Sequence, residues 1–101
     1  MIIYNVTIKV SKSIADNWLQ WLKEEHIPEV TSTGCFTNAN ILQLLEIDDD
    51  EGPTYAIQYF AESREKYDFY IENFADLMRE KSYQKWGDQF IAFRSVMKIV
   101  Q

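Results

Sequence analysis

The chain has 101 residues, of which 47% are hydrophobic and 26% charged, with only three glycines and two prolines. This composition predicts one folded domain over residues 1–101 and excludes a disordered or collagen-like chain. Sixteen acidic residues against ten lysines and arginines give a net charge of −6. Such a charge argues against a nucleic-acid partner, because phosphate backbones select basic surfaces.

Cysteine content and hydropathy predict a cytoplasmic protein with no membrane partner. One cysteine cannot form an intrachain disulfide, and no Cys/His array for a structural zinc is present. The chain lacks a run of about 18 apolar residues and the pattern of a signal peptide. We expect neither a metal nor an organic cofactor.

The first half of the chain predicts a strand, a helix and a second strand. Residues 2–10 alternate between apolar and mostly polar positions, the period of a strand with one apolar face. Ser13 is a candidate N-cap for a helix that we expect to end near His26, because Pro28 disfavours the α conformation at Ile27. A second extended run covers roughly 36–47.

The second half predicts a strand over 54–61, a helix and a final strand over 89–100. The acidic turn 48–53 joins the second and third strands into a hairpin and lacks the ligand spacing of a calcium loop. Ser63 is the predicted cap of the second helix, and Gly87 is its predicted end. An apolar stripe runs along that helix over Tyr67, Tyr70, Ile71, Phe74, Leu77 and Met78.

The order β-α-β-β-α-β is the split β-α-β arrangement of the α+β, ferredoxin-like fold. Two right-handed crossovers would place both helices on one face of a four-stranded antiparallel sheet. Fold alone does not assign a function.

The sheet face turned away from the helices is predicted to mix apolar and polar side chains. We assign to it Ile3, Asn5, Thr7 and Lys9 of the first strand, Thr54, Ala56, Gln58 and Phe60 of the third, and Phe90, Ala92, Arg94, Val96 and Lys98 of the last. Such a face predicts a homodimer in which two sheets meet and enclose a cavity. The alternatives are a monomer with a solvated face or a face that binds another protein.

His26 is the only histidine and the candidate catalytic residue. It continues the inward stripe of the first helix, and a histidine exchanges protons near neutral pH. The helix end and Glu25 would raise its pKa, whereas burial would lower it, and the sequence does not decide between them. Glu25 or Glu29 could orient the ring, but a structural histidine that caps the helix fits the same pattern.

Asn5, Gln58, Arg94 and Phe36 are the candidate ligand-binding residues. Arg94 could hold a carboxylate or phenolate, or form a salt bridge across the dimer. Cys35 could be a thiol activated by His26 or a small apolar filler. The tyrosines of the third strand and second helix are interpreted as core.

The segments MIIYNVTIKV, WLQWLKEEHIPEVTSTGCF and WGDQFIAFRSVMKIV resemble an uncharacterised family of short bacterial proteins that is known only as a domain of unknown function. The layout also resembles the dimeric α/β-barrel superfamily, which contains antibiotic-biosynthesis monooxygenases, small lactone isomerases, haem-degrading monooxygenases and stress-response barrel proteins. Asn5 and Trp86 are similar to residues of the haem-degrading branch, but the chain has no histidine between Ser63 and Gly87, where that branch ligates haem.

The resemblance implies a homodimer that binds a small anionic or carbonyl-bearing molecule. One hypothesis is a cofactor-independent monooxygenase or isomerase-like enzyme in which His26 is the acid or base. The other is a non-catalytic dimer that senses a ligand or binds a protein.

Overall fold

Four strands form one antiparallel sheet in the computed structural model, which describes residues 1–101. The strands are β1 (Ile2–Val10), β2 (Asn38–Gln43), β3 (Thr54–Ala61) and β4 (Phe90–Lys98), in the spatial order β2-β3-β1-β4. The predicted bounds of β1 and β3 are confirmed, whereas β2 and β4 are shorter than predicted.

The helices are α1 (Ala15–Trp21), α2 (Ile27–Thr31), α3 (Arg64–Asn73) and α4 (Ala75–Trp86). A 3₁₀ turn over Lys12–Ile14 precedes α1, and a five-residue π-helical turn over Leu22–His26 joins α1 to α2. Helical segments therefore fill both crossovers, which confirms the predicted ferredoxin-like architecture. No helix has the length and apolar character needed to span a bilayer.

The first helical region does not end at His26, as Pro28 led us to expect. The Ile27 N–H donates to the Leu22 carbonyl, five residues back, and Pro28 lies in the first turn of α2. A missing N–H is tolerated in a first helical turn, and the wide π turn separates that turn from α1. The proline therefore begins a new helical segment.

The helix start predicted at Ser13 is also wrong, because Ser13 lies inside the 3₁₀ turn and no side chain caps α1. Backbone bonds to distant loops fix the chain here instead. The Ser11 N–H donates to the Gln89 carbonyl and the Lys12 N–H to the Glu51 carbonyl, both at 2.9 Å. These contacts depend on tertiary structure and have no local sequence signal.

The second helical region begins and ends as predicted but is interrupted at Phe74. The Ser63 hydroxyl accepts a hydrogen bond from the Lys66 N–H at 3.3 Å, and Gly87 ends α4 with a φ of 63°. Phe74 has φ −128° and ψ −27°, outside the helical region. This break rotates α4 relative to α3, and Leu77, predicted to face inward, is 51% exposed.

The core lies between the helices and the sheet and is rich in aromatic rings. Tyr4 is at its centre, with ring centroids 5.9 Å from Tyr59, 6.1 Å from Phe36 and 5.8 Å from Tyr70. All four side chains are at most 5% exposed. Burial of each contributes about 2–3 kcal/mol to stability, so this cluster is a major stabilising element.

Gly52 is required where the β2–β3 loop returns to the sheet. Its φ is 147°, and a Cβ placed there would lie 1.8 Å from the Val10 carbonyl oxygen. The next residue, Pro53, accepts a hydrogen bond from the Val10 N–H at 3.1 Å. This close approach fixes the end of β1 against the loop.

The two faces of the sheet follow from the strand register. Val6 of β1 pairs with Ile57 and Arg94, and directly paired residues share a face, so Arg94 lies on the helix side with Val6. The predicted assignment of β4 is therefore wrong by one residue. The β4 residues on the helix side are Phe90, Ala92, Arg94, Val96 and Lys98.

The face turned away from the helices, here called the open face, is more apolar than predicted. Ile91 is 74% exposed, Phe93 67% and Met97 40%, and the register places all three on the same face as Ile3 and Phe60. Both alternating sets of β4 contain apolar residues, so the pattern alone did not fix which set pointed inward.

Candidate functional site

A cleft between the helices and the sheet is lined by both apolar and polar side chains. We call it the helix-side cleft. Its thirteen lining residues come from β1, β3, β4, the π turn, α3 and α4: Tyr4, Val6, Ile8, Leu22, His26, Ile57, Tyr59, Tyr70, Met78, Arg79, Ser82, Phe90 and Arg94. Its volume of about 40 Å³ holds roughly three water molecules at about 10–15 Å³ each. The cleft therefore suits small compounds.

The helix-side cleft contains no carboxylate, although the chain carries sixteen acidic residues. Its ionisable nitrogen groups are His26, Arg79 and Arg94. The two ion pairs of the chain, Arg64 with Asp68 and Lys81 with Glu29, involve neither cleft arginine. The cleft is thus a locally cationic site in an anionic protein.

His26 is the last residue of the π turn and lines the cleft beside the sheet. Its ring stacks on Trp21, with a centroid separation of 4.7 Å and an angle of 23° between the planes. Trp21 in turn meets the edge of Trp86 at the end of α4. These contacts fix the orientation of the imidazole ring from one side.

Burial decides the charge of His26, which the sequence left open. Burial lowers the pKa of the imidazole from 6.5 to about 4, against the smaller opposing effect of the Glu29 carboxylate. The charges of Lys81 and Arg94 contribute to the same lowering of the pKa. His26 is therefore neutral at neutral pH and can accept a proton.

Glu25 and Glu29 do not hold the histidine ring by hydrogen bonds. Glu25 is exposed, and the Glu29 carboxylate is bonded to the Lys81 ammonium of α4. Glu29 therefore acts on His26 only through its charge. Neither residue lines the cleft.

Arg94 lies at the mouth of the helix-side cleft and is exposed. It lies in an edge strand, directly opposite Val6, and no carboxylate is within salt-bridge distance. The prediction that Arg94 shares a cavity with Asn5 and Gln58 is wrong, because the sheet separates them.

Arg79 is a cleft residue that sequence analysis missed. Its Nη2 donates a hydrogen bond to the Tyr4 hydroxyl at 3.3 Å, and its Nε is buried without a partner. The helical spacing could have indicated it. Ser82 and Trp86 follow Met78 at intervals of four residues, and Arg79 is adjacent to the helix face that these three residues form. The inward stripe of α4 thus continues beyond Met78.

The hydroxyls of Tyr59 and Tyr70 also line the cleft. Both side chains are 3% exposed, and neither hydroxyl takes part in a hydrogen bond within the chain. Burial raises the pKa of both phenols well above the ordinary value of 10.0, and nearby Tyr4 adds to the effect in each. Both therefore remain protonated donors. The prediction that they are core residues is confirmed, but they also line the cleft.

The remaining candidates lie elsewhere. Asn5 is on the open face, where its Nδ2 donates to Thr7 Oγ1 at 3.1 Å and to Ser95 Oγ at 3.4 Å. Gln58 is its partner across the strands. Phe36 is part of the aromatic core and does not line the cleft.

Cys35 is buried at 5% exposure and likewise does not line the cleft with His26. Its surroundings fit the small apolar filler better than a reactive thiol. The acidic turn forms an Asx turn, in which the Asp50 N–H donates to Asp48 Oδ1 at 3.0 Å. No three His, Cys, Asp or Glu side chains of the chain gather into a group that could hold a metal.

Comparison with solved structures finds the same architecture at low sequence identity. A dimeric ferredoxin-like protein from an uncultured marine organism superposes with a TM-score of 0.74 and 10% identity, over 99% of this chain and 95% of that one. A mutant form of SnoaB, a cofactor-independent oxygenase from Streptomyces nogalater, gives 0.67 and 8% over 99% and 94%. An EthD-like protein from Ralstonia eutropha gives 0.63 and 13% over 98% and 93%.

These similarities establish the ferredoxin-like fold. They say nothing about a shared activity, because the sequence identities are low. Comparison with curated proteins finds no match. Family comparison matches residues 1–100, almost the whole chain, and this confirms the resemblance seen in its opening, central and closing segments. The chain belongs to the family described as Domain of unknown function (DUF4286).

Proposed function

We propose that the protein is a homodimer that binds a small carbonyl-bearing anion in the helix-side cleft and abstracts a proton from it with His26. The observation that supports this most directly is a neutral, partly buried imidazole in a cleft whose only charges are two arginines without carboxylate partners. Such a site offers a proton acceptor next to groups that stabilise negative charge.

The charge balance of the cleft determines what His26 can do. In the empty cleft its pKa of about 4 makes the imidazole a weak base. A bound anion would raise this pKa, because an opposite charge favours the imidazolium. The ligand would thus strengthen the base that acts on it, toward the value that suits catalysis at neutral pH.

The proposed step is the transfer of a proton from the carbon next to a carbonyl to a ring nitrogen of His26. The C–H bond breaks, its electron pair forms an enolate, and Arg94 at the cleft mouth stabilises the oxygen that becomes negative. Return of the proton to another carbon is an isomerisation and needs no further reactant. Reaction of the enolate with dioxygen as a co-substrate would be a cofactor-independent oxygenation.

The dimer part of the proposal rests on the open face. Exposed Ile91, Phe93 and Met97 lie on the same side of the sheet as Ile3 and Phe60, and Met97 pairs directly with Ile3. Exposed apolar side chains on both sides of the polar row at Asn5 favour burial of this face against a second copy. The marine structural neighbours are described as dimeric, which supports the same arrangement. We further propose that this single-domain dimer works in the cytoplasm.

The test uses pyruvate, which is small, anionic and carries a carbonyl. In D₂O near neutral pH, His26-dependent proton abstraction exchanges the methyl hydrogens of pyruvate for deuterium, and proton NMR follows the loss of the methyl signal. The wild-type protein is expected to exceed the rate given by the same concentration of free imidazole, and His26→Gln to abolish the excess. Equal rates for wild type and His26→Gln would overturn the catalytic role.

A second candidate function is ligand sensing without turnover, and the low basicity of His26 favours it. In that case pyruvate binds and shifts the His26 resonances, while its methyl hydrogens exchange no faster than with free imidazole. Binding to another protein through the open face is the remaining alternative, and a monomeric wild-type protein at about 100 μM would favour it.

A further inference from the structure

The helix-side cleft offers many hydrogen-bond donors and few acceptors. Arg79 has a buried Nε–H without a partner, and Arg94 is not ion-paired. The Tyr59 and Tyr70 hydroxyls are unused and remain protonated. Ser82 is already committed, since its hydroxyl donates to the Met78 carbonyl at 3.3 Å.

From this donor excess we infer that Arg79, together with the Tyr59 and Tyr70 hydroxyls, forms a carboxylate-binding subsite inside the helix-side cleft. The inference rests on the proposed function, and it names the substrate class as small carboxylates and the residue that holds the carboxylate. Arg79 is a binding residue here, distinct from the proton acceptor His26.

The position of Arg79 supports a binding role over a structural one. Its only hydrogen bond goes to the Tyr4 hydroxyl, and a guanidinium has five N–H donors to satisfy. Asp76, one turn earlier on α4, lies beyond salt-bridge distance and is not a partner for it. A buried Nε–H without a partner is destabilising, and a carboxylate oxygen would supply that partner.

The tyrosines complete the subsite from two other directions. Tyr70 lies on α3 and Tyr59 on β3, so the donors come from three elements around one space. Burial has the largest effect on the pKa of Tyr70 and raises it. The charges of Arg79 and Arg94 lower this pKa, so the Tyr70 ring lies within electrostatic range of each arginine. A carboxylate there would find a guanidinium and phenolic O–H donors, as in charge-assisted anion sites.

The cleft volume limits the size of the ligand. About 40 Å³ is far below the roughly 300 Å³ of drug-sized pockets. Acetate and pyruvate are therefore suitable probes, and acetamide is a neutral compound of nearly the same shape as acetate.

The experiment measures probe binding by NMR at two reporters, the Arg79 Nε–Hε signal and the His26 ring signals. We expect acetate and pyruvate to shift the Arg79 signal and acetamide to leave it unchanged at the same concentration. Arg79→Gln should weaken acetate binding by about tenfold or more. Arg79→Lys, which keeps the charge and loses the planar fork, should recover part of this loss.

Arg64→Gln is the matched control, because Arg64 is an exposed arginine paired with Asp68 outside the cleft. It should bind acetate as the wild type does. If Arg79→Gln is unfolded, Arg79→Lys and the wild-type Arg79 signal still decide the question. Equal binding of acetate and acetamide, or undiminished acetate binding by a folded Arg79→Gln, would overturn the inference.

The two reporters separate the failure of this inference from that of the proposed function. If the Arg79 signal shifts with pyruvate and His26→Gln leaves methyl exchange unchanged, the subsite stands and the catalytic role fails. If His26 responds and catalyses exchange while Arg79 does not respond, the catalytic role stands and the subsite is wrong.

Discussion

The two faces of the sheet differ in which side chains lack partners within the chain. The helix side buries rings around Tyr4 and keeps a small cleft with unpaired arginines, a neutral histidine and free phenols. On the open face, Asn5 has local partners in Thr7 and Ser95, and apolar side chains such as Phe93 are exposed. The proposed anion would partner the arginines of the helix side, and the proposed dimer would cover the apolar side chains of the open face.

This contrast teaches that a polar residue in a strand is not by itself a ligand residue. Asn5 is 8% exposed and has partners from β1 and β4. Arg94 lies on the opposite face and has no ion-pair partner. Polar groups with neighbours that satisfy them stabilise the sheet, whereas those without neighbours mark a site.

The largest effect is expected at Gly52, where the β2–β3 loop closely approaches the end of β1. Gly52→Ala would place a Cβ 1.8 Å from the Val10 carbonyl, so the loop must move away from β1. We expect a loss of about 4 kcal/mol in the free energy of unfolding, measured by denaturant titration.

Gly34→Ala is the control for this change. Gly34 also has a positive φ, 81°, but a Cβ there meets nothing within 4 Å. It should cost only about 1 kcal/mol of backbone strain. Similar losses at both positions would mean that the contact with Val10 does not limit the fold.

The next effect concerns the open face. Phe93→Asp places a charge at the centre of the proposed dimer contact, where two-fold symmetry brings a second copy of the change nearby. Sedimentation velocity should show the dimer weakened by about a hundredfold. Leu77→Asp is the matched control, since Leu77 is 51% exposed on the helix layer, and it should leave the dimer intact.

The smallest expected effect is the change in folding stability with pH that His26 causes on the helix side. The folded protein binds a proton at His26 only near pH 4, whereas the unfolded chain binds it near 6.5. The unfolded state therefore holds more protons between these values, and stability falls as the pH drops through this window. At pH 4.5 this loss amounts to about 2 kcal/mol relative to pH 7.

His26→Gln should lose less stability than the wild type over the same interval, because the acidic side chains titrate in both proteins. Denaturant titrations at pH 7 and pH 4.5, at one protein concentration, give the difference. If acidification destabilises both proteins equally, His26 is not buried as a neutral ring.

The order of elements was predictable from the sequence because each long element has a strong local pattern. The strict alternation over residues 2–10 and the cap and stop at Ser63 and Gly87 gave bounds that the structure confirms. The face of β4 was not predictable, because both its alternating sets contain apolar residues. Only pairing with β1 decides that Arg94 points toward the helices.

The candidate site was predictable only in part. His26 was found because a single histidine on an inward stripe is a distinct signal, but its charge depends on burial by residues far along the chain. Arg79 was missed because its partner Tyr4 is 75 residues away. Long-range contacts of this kind have no local pattern.

The five-residue turn at Leu22–His26 has a consequence for the phase of the helix. In an unbroken α-helix, Val30 would be rotated by about 120° from Trp18, at about 100° per residue. A wide turn that absorbs one residue reduces this to about 20°, and both side chains are indeed at most 2% exposed. Deleting a single residue between Trp21 and His26 would restore ordinary winding while keeping Val30 inward. The π turn thus adds one residue to the helical backbone without turning the following segment out of the interior.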